Sequence, residues 1–524
     1  MSPAYTRAEI VEQDEILLGC REDEITRRLP ERLSHGVLRW ATETPDAIAV
    51  KSAGVRLTYA ELESAVREMQ RHFEASDVRP GDRVMLVAEN GAALVTMVLA
   101  LSEMDAVAVI INARLSAREL DMIEADADPR LVIYTVSDSV NAGEVADSRR
   151  AARHRFAVGE IAETPVRASE PEVTGEPPTS QVLAMIYTTG TTGTPKGVML
   201  THRNLTFIAY VSGRLRGIGA GDEVYCVLPM SHVFGLSAVT CSVLFSGGTA
   251  HVVSRFDPRA ALEAFQTEGV VGFLGVPTMY TRLLETLPAM PDWRSPSLRF
   301  MYSGGAPLDP DLKSRVEAAF GMPLHNGYGL TESGPTICQT RLYAPLSNCS
   351  VGFVLPGVQT KILGEDGTPR GRGEVGELWA RGPNIMKGYF RKPEATALVL
   401  QDGWLNTGDL VFEDESGSIN IAGRTKELII RSGFNVYPPE VEGVLSSHPD
   451  VSVAAVVGRM VGSDEEIVAF LQPVPGSSID IDSLKAFARE RLAGYKLPGR
   501  FVVMNELPAA PSGKILKHKL ELPA

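Results

Sequence analysis

Short apolar runs alternate with helix-periodic stretches over most of the chain. Asp82 to Ala88 reads as a strand, Ala92 to Ser102 as a helix with apolar residues nearly all round, and Ala106 to Ile111 as a second strand. Such alternation, with continuously apolar strands, predicts a parallel sheet covered by helices on both faces. The rhythm returns at Glu223 to Leu228, Val239 to Val253 and Val270 to Leu274. Ser137 to Thr179 is polar, rich in Glu, Arg, Ala and Pro, and has no strong period, so it reads as a surface excursion. Past residue 350 the texture changes. Gln359 to Leu363 and Gly376 to Arg381 are short strands set off by Gly and Pro turns, which predicts a small, partly antiparallel β region. A second boundary falls at Gly423-Arg424-Thr425-Lys426. Beyond it, Val451 to Gly458 and Ile467 to Val474 read as strands and Ser483 to Leu492 as a helix. The expected fold class is therefore α/β. A large N-terminal domain (1–424) would hold parallel and mixed sheets covered by helices plus the small β region. A smaller C-terminal α+β domain (425–524) would follow a charged, Gly-bearing joint able to act as a hinge.

Composition narrows the function classes. The 524 residues carry 51 Lys+Arg against 65 Asp+Glu, a formal charge of −14, and are 44% apolar, which excludes a disordered or fibrous chain. With no dense Lys/Arg stripe, nucleic acid is not the expected partner. An anionic substrate remains compatible, because a few local cations outweigh a diffuse net charge. The five cysteines (Cys20, Cys226, Cys241, Cys338 and Cys349) form no CxxC and suit a reducing compartment. The acidic N-terminus (Glu9, Glu12, Asp14, Glu15) is no secretory signal. The most apolar stretch, Gly91 to Ala113, is broken by Glu103 and Asp105 before it is long enough to span a bilayer. The expectation is a cytoplasmic protein without a transmembrane segment, whose oligomeric state the sequence leaves open.

The most informative segment runs from Met185 to Val198. A strand-like run feeds Thr188-Thr189-Gly190-Thr191-Thr192-Gly193-Thr194, closed by Pro195-Lys196-Gly197. Glycines let backbone N–H groups approach an anion closely, threonine hydroxyls add uncharged donors, and Lys196 adds one positive charge. Those parts suit a polyphosphate. The loop is not a Walker A loop, because Gly197 stands where that motif needs Ser or Thr after the lysine. No GxGxxG follows a strand to support a dinucleotide fold.

This loop resembles the phosphate-binding signature of the adenylate-forming superfamily, in its acyl-CoA synthetase branch. Four more segments resemble the superfamily's other signatures in the expected order: Asn326-Gly327-Tyr328-Gly329-Leu330-Thr331-Glu332, Gly403-Trp404-Leu405-Asn406-Thr407-Gly408-Asp409, Gly423-Arg424-Thr425-Lys426-Glu427-Leu428-Ile429 and Pro511-Ser512-Gly513-Lys514-Ile515. The resemblance covers almost the whole chain after about residue 35. It implies two half-reactions. A carboxylate attacks the α-phosphorus of ATP and pyrophosphate leaves; a thiol, coenzyme A, then displaces AMP.

The resemblance also assigns roles. Thr188, Thr189, Gly190, Thr191, Thr192, Gly193 and Lys196 would hold the β- and γ-phosphates, and Glu332 would bind Mg2+. Gly304, Gly305 and Ala306 would let adenine lie against backbone. Asn326 and Gly327 would flank the purine, with Asn326 offering an amide edge, Tyr328 a stacking face and Thr331 a hydroxyl to the α-phosphate. Asp409 would accept from the ribose hydroxyls beside Arg424. Lys514 would bridge the carboxylate and the α-phosphate in the first step. Lys426 would be the pivot that rotates the small domain for the second, and Gly433 would line the thiol channel.

For the acid itself, Leu228 to Leu236 resembles one wall of the family's acyl pocket, with His232 guarding the carboxylate or the thiol tunnel. The segment Gly235-Leu236-Ser237-Ala238 has no Asp to hold a substrate amine, which disfavours amino-acid activation. Gly275 to Leu283 resembles a stretch of malonyl-CoA synthetases, where Arg282 would meet a second carboxylate. The favoured small-molecule partner is an aryl or medium-chain monocarboxylic acid. The alternatives are a malonyl-type dicarboxylate, or an acyl-AMP ligase that loads a protein carrier.

Overall fold

The computed structural model describes residues 5–174, 176–189, 195–431, 434–461, 464–509 and 515–521. Two large sheets with parallel centres carry the N-terminal part. In the first, eight strands run in the order Gly388–Tyr389, Pro195–Thr201, Val182–Thr189, Val107–Asn112, Arg83–Ala88, Leu131–Tyr134, Gly159–Glu163 and Ala152–Phe156. Its four central strands are parallel and its outer pairings antiparallel. In the second, nine strands run Phe353–Val354, Cys338–Gln339, Leu324–Tyr328, Phe300–Ser303, Val270–Gly275, Glu223–Cys226, Thr249–Val252, Ile48–Ser52 and Val55–Thr58.

One hydrophobic core joins the two sheets. It takes in Val84, Leu86 and Ile110 of the first and Val224, Leu274 and Phe300 of the second. The helices Ala92–Glu103 and His202–Leu215 lie in that core. Every residue from Ala92 to Ser102 is buried, which is why this helix has no polar face. No described helix is long and apolar enough to cross a membrane. None of the five cysteines is in a disulfide, and four are buried.

The strand and helix expectations hold with boundary shifts of a few residues, and one segment differs. Within Ser137 to Thr179 the chain forms a helix (Val140–Ser148) and an antiparallel hairpin (Ala152–Phe156 with Gly159–Glu163) on the edge of the first sheet. Only Ala142 and Ala146 of the helix are buried. The outer strand is mostly exposed, with Arg153 paired to Asp147 and Glu160. Its inner strand buries only Ile161 and Ala162 and its outer strand is largely polar, so the hairpin leaves too short an apolar pattern for sequence reading to detect.

The small β region is a five-stranded sheet in which Trp404–Glu413 pairs with Gly376–Arg381 on one side and Ile419–Arg424 on the other. After residue 428 a core of its own forms around Ile429, Val441, Val456, Ile467 and Leu484. It lies between a three-stranded sheet (Val451–Val461, Asp464–Pro473, Arg500–Val503) and the helices Pro438–Ser446 and Ile481–Arg489.

The N-terminal helix Arg7–Leu18 is fixed by a buried ion pair. Arg341 Nη2 lies 2.9 Å from Asp14 Oδ2, with Arg341 fully buried and Asp14 3% exposed. Tyr343 donates to the other Asp14 oxygen at 2.7 Å. Asp14→Ala should destabilise the protein by about 3–5 kcal/mol by stranding the guanidinium. The double change Asp14→Leu with Arg341→Met should recover most of that loss. Urea denaturation checks both; a single variant as stable as the parent would show that the pair holds nothing.

Candidate active site

Four of the segments singled out by sequence, those bearing Lys196, Tyr328 with Glu332, Asp409 and Arg424, converge where the two large sheets and the small β region meet. Asp409 and Arg424 are cross-strand partners, so side chains 15 positions apart in sequence face each other. Arg424 Nε lies 2.9 Å from Asp409 Oδ1. Tyr328, at the end of its strand in the second sheet, donates its hydroxyl to Asp409 Oδ2 at 2.6 Å. Asp409 is 3% exposed. The backbone presents it through a tight turn in which Gly408 N–H donates to Asn406 Oδ1 at 2.8 Å and Asp409 N–H donates to Thr407 Oγ1 at 3.1 Å. Gly408 has φ +67°, a conformation that side chains with a Cβ disfavour.

A second carboxylate sits a few residues on. Thr331–Ser333 forms one tight helical turn in which Thr331 is buried and Glu332 half-buried. Tyr389 donates to Glu332 Oε1 at 2.7 Å. The same tyrosine lies under the cation of the phosphate-loop lysine, with Lys196 Nζ 5.0 Å from its ring centroid. Tyr389 is placed by the pairing of Gly388–Tyr389 with Pro195–Thr201, where Tyr389 faces Val198. Burial, followed by the adjacent carboxylate, pushes both phenols above their ordinary range: Tyr328 by Asp409 and Tyr389 by Glu332. Both therefore act as fixed donors at neutral pH.

Thr188 pairs with Lys196 and Thr189 with Pro195 across the antiparallel hairpin whose connection is the Thr/Gly loop. Gly190, Thr191, Thr192 and Gly193 lie outside the described residues, as do Gly433 and Lys514. Asn326 spends its amide on backbone: Nδ2 donates to Cys349 O at 3.0 Å, and Oδ1 accepts from Gly327 N–H at 3.0 Å. In this arrangement Asn326 shapes the strand end, and the Tyr328 hydroxyl grips Asp409. Gly304 closes the strand Phe300–Ser303. A Cβ there would come within 2.9 Å of the Phe234 ring, so the missing side chain is what admits that ring. Gly305 is exposed and Ala306 half-buried just beyond.

His232 stands exposed at the entry to a π-helical stretch, Phe234–Cys241, a geometry often found at functional sites. Its Nδ1 accepts the Phe234 N–H at 3.2 Å, which places the proton of the neutral ring on Nε2. Arg282 is exposed, and its guanidinium lies over the ring of Phe256 at 5.3 Å.

Two residues that sequence reading passed over hold this site. Tyr389 is one. Its only sequence signal is an aromatic pair, Tyr389-Phe390, between basic residues. Asn90 is the other. It sits at the carboxyl end of the central strand Arg83–Ala88 and reaches across to the second sheet. Its Nδ2 donates to Leu228 O at 2.9 Å and Val253 O at 3.1 Å, and its Oδ1 accepts Met230 N–H at 2.8 Å. The loop that delivers His232 thus hangs on one buried amide. Asn90→Ala should cost about 2–4 kcal/mol in stability by orphaning buried backbone groups and should abolish hydrogen-exchange protection of the Met230 amide. Undiminished protection of that amide would remove Asn90 from this role.

The comparisons with known proteins agree with this geometry. The model of the AMP-binding enzyme family matches residues 37–390, and that of the AMP-binding enzyme C-terminal domain matches residues 440–514. A feruloyl-CoA synthase of Amycolatopsis is 37% identical over 490 residues, covering 92% of this chain and 96% of that protein. A 2-succinylbenzoate–CoA ligase of Geobacillus kaustophilus is 35% identical over 483 residues, 91% and 95% of the two chains. Among solved structures, the o-succinylbenzoate CoA synthetase of Bacillus subtilis, in complex with ATP and magnesium, superposes with a TM-score of 0.79 at 31% identity. It covers 93% of this chain and 98% of its own. The chain belongs to the AMP-binding enzyme family, the adenylate-forming enzymes expected from its five ordered motifs.

Proposed function

We propose that the protein is an AMP-forming carboxylate–CoA ligase acting on an aryl carboxylic acid. The observation that carries the reading is the single cluster of Lys196, Tyr389, Glu332, Tyr328, Asp409 and Arg424, built from segments more than 200 residues apart. The curated relatives supply the acceptor and the acid class, being CoA ligases of feruloyl and 2-succinylbenzoyl groups.

In this reading Asp409, held by Tyr328 and Arg424, accepts from the ribose hydroxyls through its remaining lone pairs. Lys196 and the Thr188–Thr189 end of the hairpin hold the outer phosphates. Glu332 fits magnesium, because Tyr389 occupies Oε1 and Oε2 has no hydrogen-bond partner among the described residues. Magnesium, when bound, neutralises phosphate charge and takes oxygen ligands. Thr331 lies beside it to donate to the α-phosphate. His232 guards the carboxylate from the far side. The exposed position of Arg282 argues against a malonyl-type second carboxylate there.

Residues 1–424 form the acid- and nucleotide-binding domain and 425–524 a domain that rotates about Lys426. Lys514 enters for adenylation, and Gly433 lines the thiol path for the second step. Attack on the α-phosphorus and then attack on the acyl carbonyl need different groups around one acyl–phosphate linkage, and rotation supplies them in turn. A reducing cytoplasmic setting suits five cysteines without a disulfide.

Release of AMP should require ATP, an aryl acid and CoA together, and pyrophosphate exchange should proceed without CoA. Exchange with no CoA-dependent turnover would point to a different acceptor. Glu332→Gln should lower kcat/KM for ATP by on the order of 10²-fold, with an unchanged melting temperature. Lys514→Ala should reduce adenylation by a similar order while sparing thioester formation from preformed acyl-adenylate. Normal pyrophosphate release by the lysine variant would end its assignment.

A further inference from the structure

Four arginines are buried among the described residues: Arg83, Arg130, Arg216 and Arg341. Three have carboxylate partners. Arg83 pairs with Asp128 and Glu172, Arg130 with Asp77 and Asp82, and Arg341 with Asp14. Arg216, 3% exposed, has no described carboxylate within salt-bridge distance. Its guanidinium lies over the Tyr302 ring at 5.0 Å, and Nη1 donates to the Ala238 carbonyl. Nη2 makes only a long bond, 3.4 Å, to Gln339 Oε1. Arg216 Nε and Gln339 Nε2 are both buried without a hydrogen-bond partner. Desolvation lowers the Arg216 pKa to about 10, so the group is still a cation at neutral pH.

The three residues around Arg216 lie on segments that adjoin the candidate active site. Ala238 is in the π-helical stretch entered from His232. Tyr302 stands two residues before Gly304 on the same strand, and Gln339 pairs with Gly327 in the neighbouring ladder. A buried charge and two orphaned N–H donors beside these segments are an unfinished hydrogen-bond set, and the missing member is an acceptor.

We propose that Arg216, with Gln339, is the specificity-determining end of the acyl pocket, and that the substrate is an aryl acid bearing a hydrogen-bond-accepting oxygen at the end distal to its reacting carboxylate. This rests on the ligase reading above and names the substrate class within it. The distal oxygen takes the Arg216 Nη2 in place of the long Gln339 contact and accepts from Arg216 Nε or Gln339 Nε2. A planar guanidinium suits such an oxygen whether it is neutral, as in a phenol or ketone, or anionic, as in a second carboxylate.

The test compares matched acids in the CoA-dependent AMP-release assay. One arm pairs an arylpropenoic acid with its para-hydroxy derivative. The other pairs an aryl monocarboxylic acid with its dicarboxylic counterpart. The parent enzyme should favour the oxygen-bearing member of at least one pair by about tenfold or more in kcat/KM, because a site built to hydrogen-bond a group rejects the analogue lacking it. Arg216→Met should shrink that preference to within about threefold by losing the oxygen-bearing acid while keeping the plain one. Gln339→Leu, which leaves the charge in place, should shrink it in part and carries the test if Arg216→Met does not fold. A preference for the plain acids in both arms, or a preference unchanged by both substitutions, would overturn the assignment of Arg216 alone. Absence of AMP release with every acid in the parent enzyme would overturn the ligase reading and this assignment with it.

Discussion

Two carboxylates, Glu332 and Asp409, stand where the proposed function brings a polyanionic nucleotide closest, and each is held by a tyrosine hydroxyl. Negative charge beside a polyphosphate is repulsive unless it is aimed, so the orientation of these two groups governs what the site can bind. A phenol is suited to the task because it donates one directed hydrogen bond and, raised in pKa by burial and by the carboxylate itself, stays protonated. Tyr328 arrives from the second large sheet and Asp409 from the small β region. Tyr389 arrives from the edge of the first sheet and Glu332 from the turn after the second. Each hydrogen bond therefore also joins two structural units, and the site is assembled only when all three sheets are in register.

The same logic explains the buried polar links elsewhere. Asn90 ties the carboxyl end of one sheet to the loop of the other. Asp14 ties the first helix to Arg341 beside the strand that pairs with Gly327. Both are satisfied inside the protein and so rigidify it. Arg216 has the same depth but an incomplete partner set. Its contrast with Arg341, two positions along from Gln339, separates a cation completed by the fold from one left for a ligand.

Much of this was legible in the sequence for a definite reason. Asp409 and Arg424 stand in motifs whose residue types are unusual at those spacings, and the structure brings the two together; a parallel sheet announces itself through unbroken apolar runs. The rest was invisible for equally definite reasons. Tyr389, Asn90 and Arg216 act through partners more than 20 residues away, and nothing local distinguishes them from ordinary core or surface residues. Asn326 has the right residue type for a purine edge, yet its amide is drawn to two carbonyls supplied by the segment at Cys349 and Ser350, which no local pattern places there. The edge hairpin at Ala152–Phe156 carries charge pairs on its outer strand and buries only a few apolar residues such as Ile161 and Ala162, so its hydrophobic signature is too short to read.

The proposed ribose site and the proposed pivot are adjacent in the chain, and this adjacency would constrain how the two half-reactions are ordered. Arg424 is the last residue of its strand and the ladder partner of Asp409. Thr425 follows at once and donates to Glu377 Oε1 at 3.0 Å, while the other oxygen of Glu377 accepts from Asn406 Nδ2 at 2.9 Å. Asn406 in turn caps the turn that presents Asp409. A torsion change at Lys426 thus begins one residue beyond a network anchored to the nucleotide-binding carboxylate. Glu377 and Asn406 tie down the N-terminal side of the joint, so the proposed rotation there would move the C-terminal part while leaving the Asp409–Arg424 pair intact. In the proposed function an adenylate bound through that pair would stay in place as the groups around its carbonyl are exchanged, which is the condition for carrying one intermediate through two chemistries without releasing it.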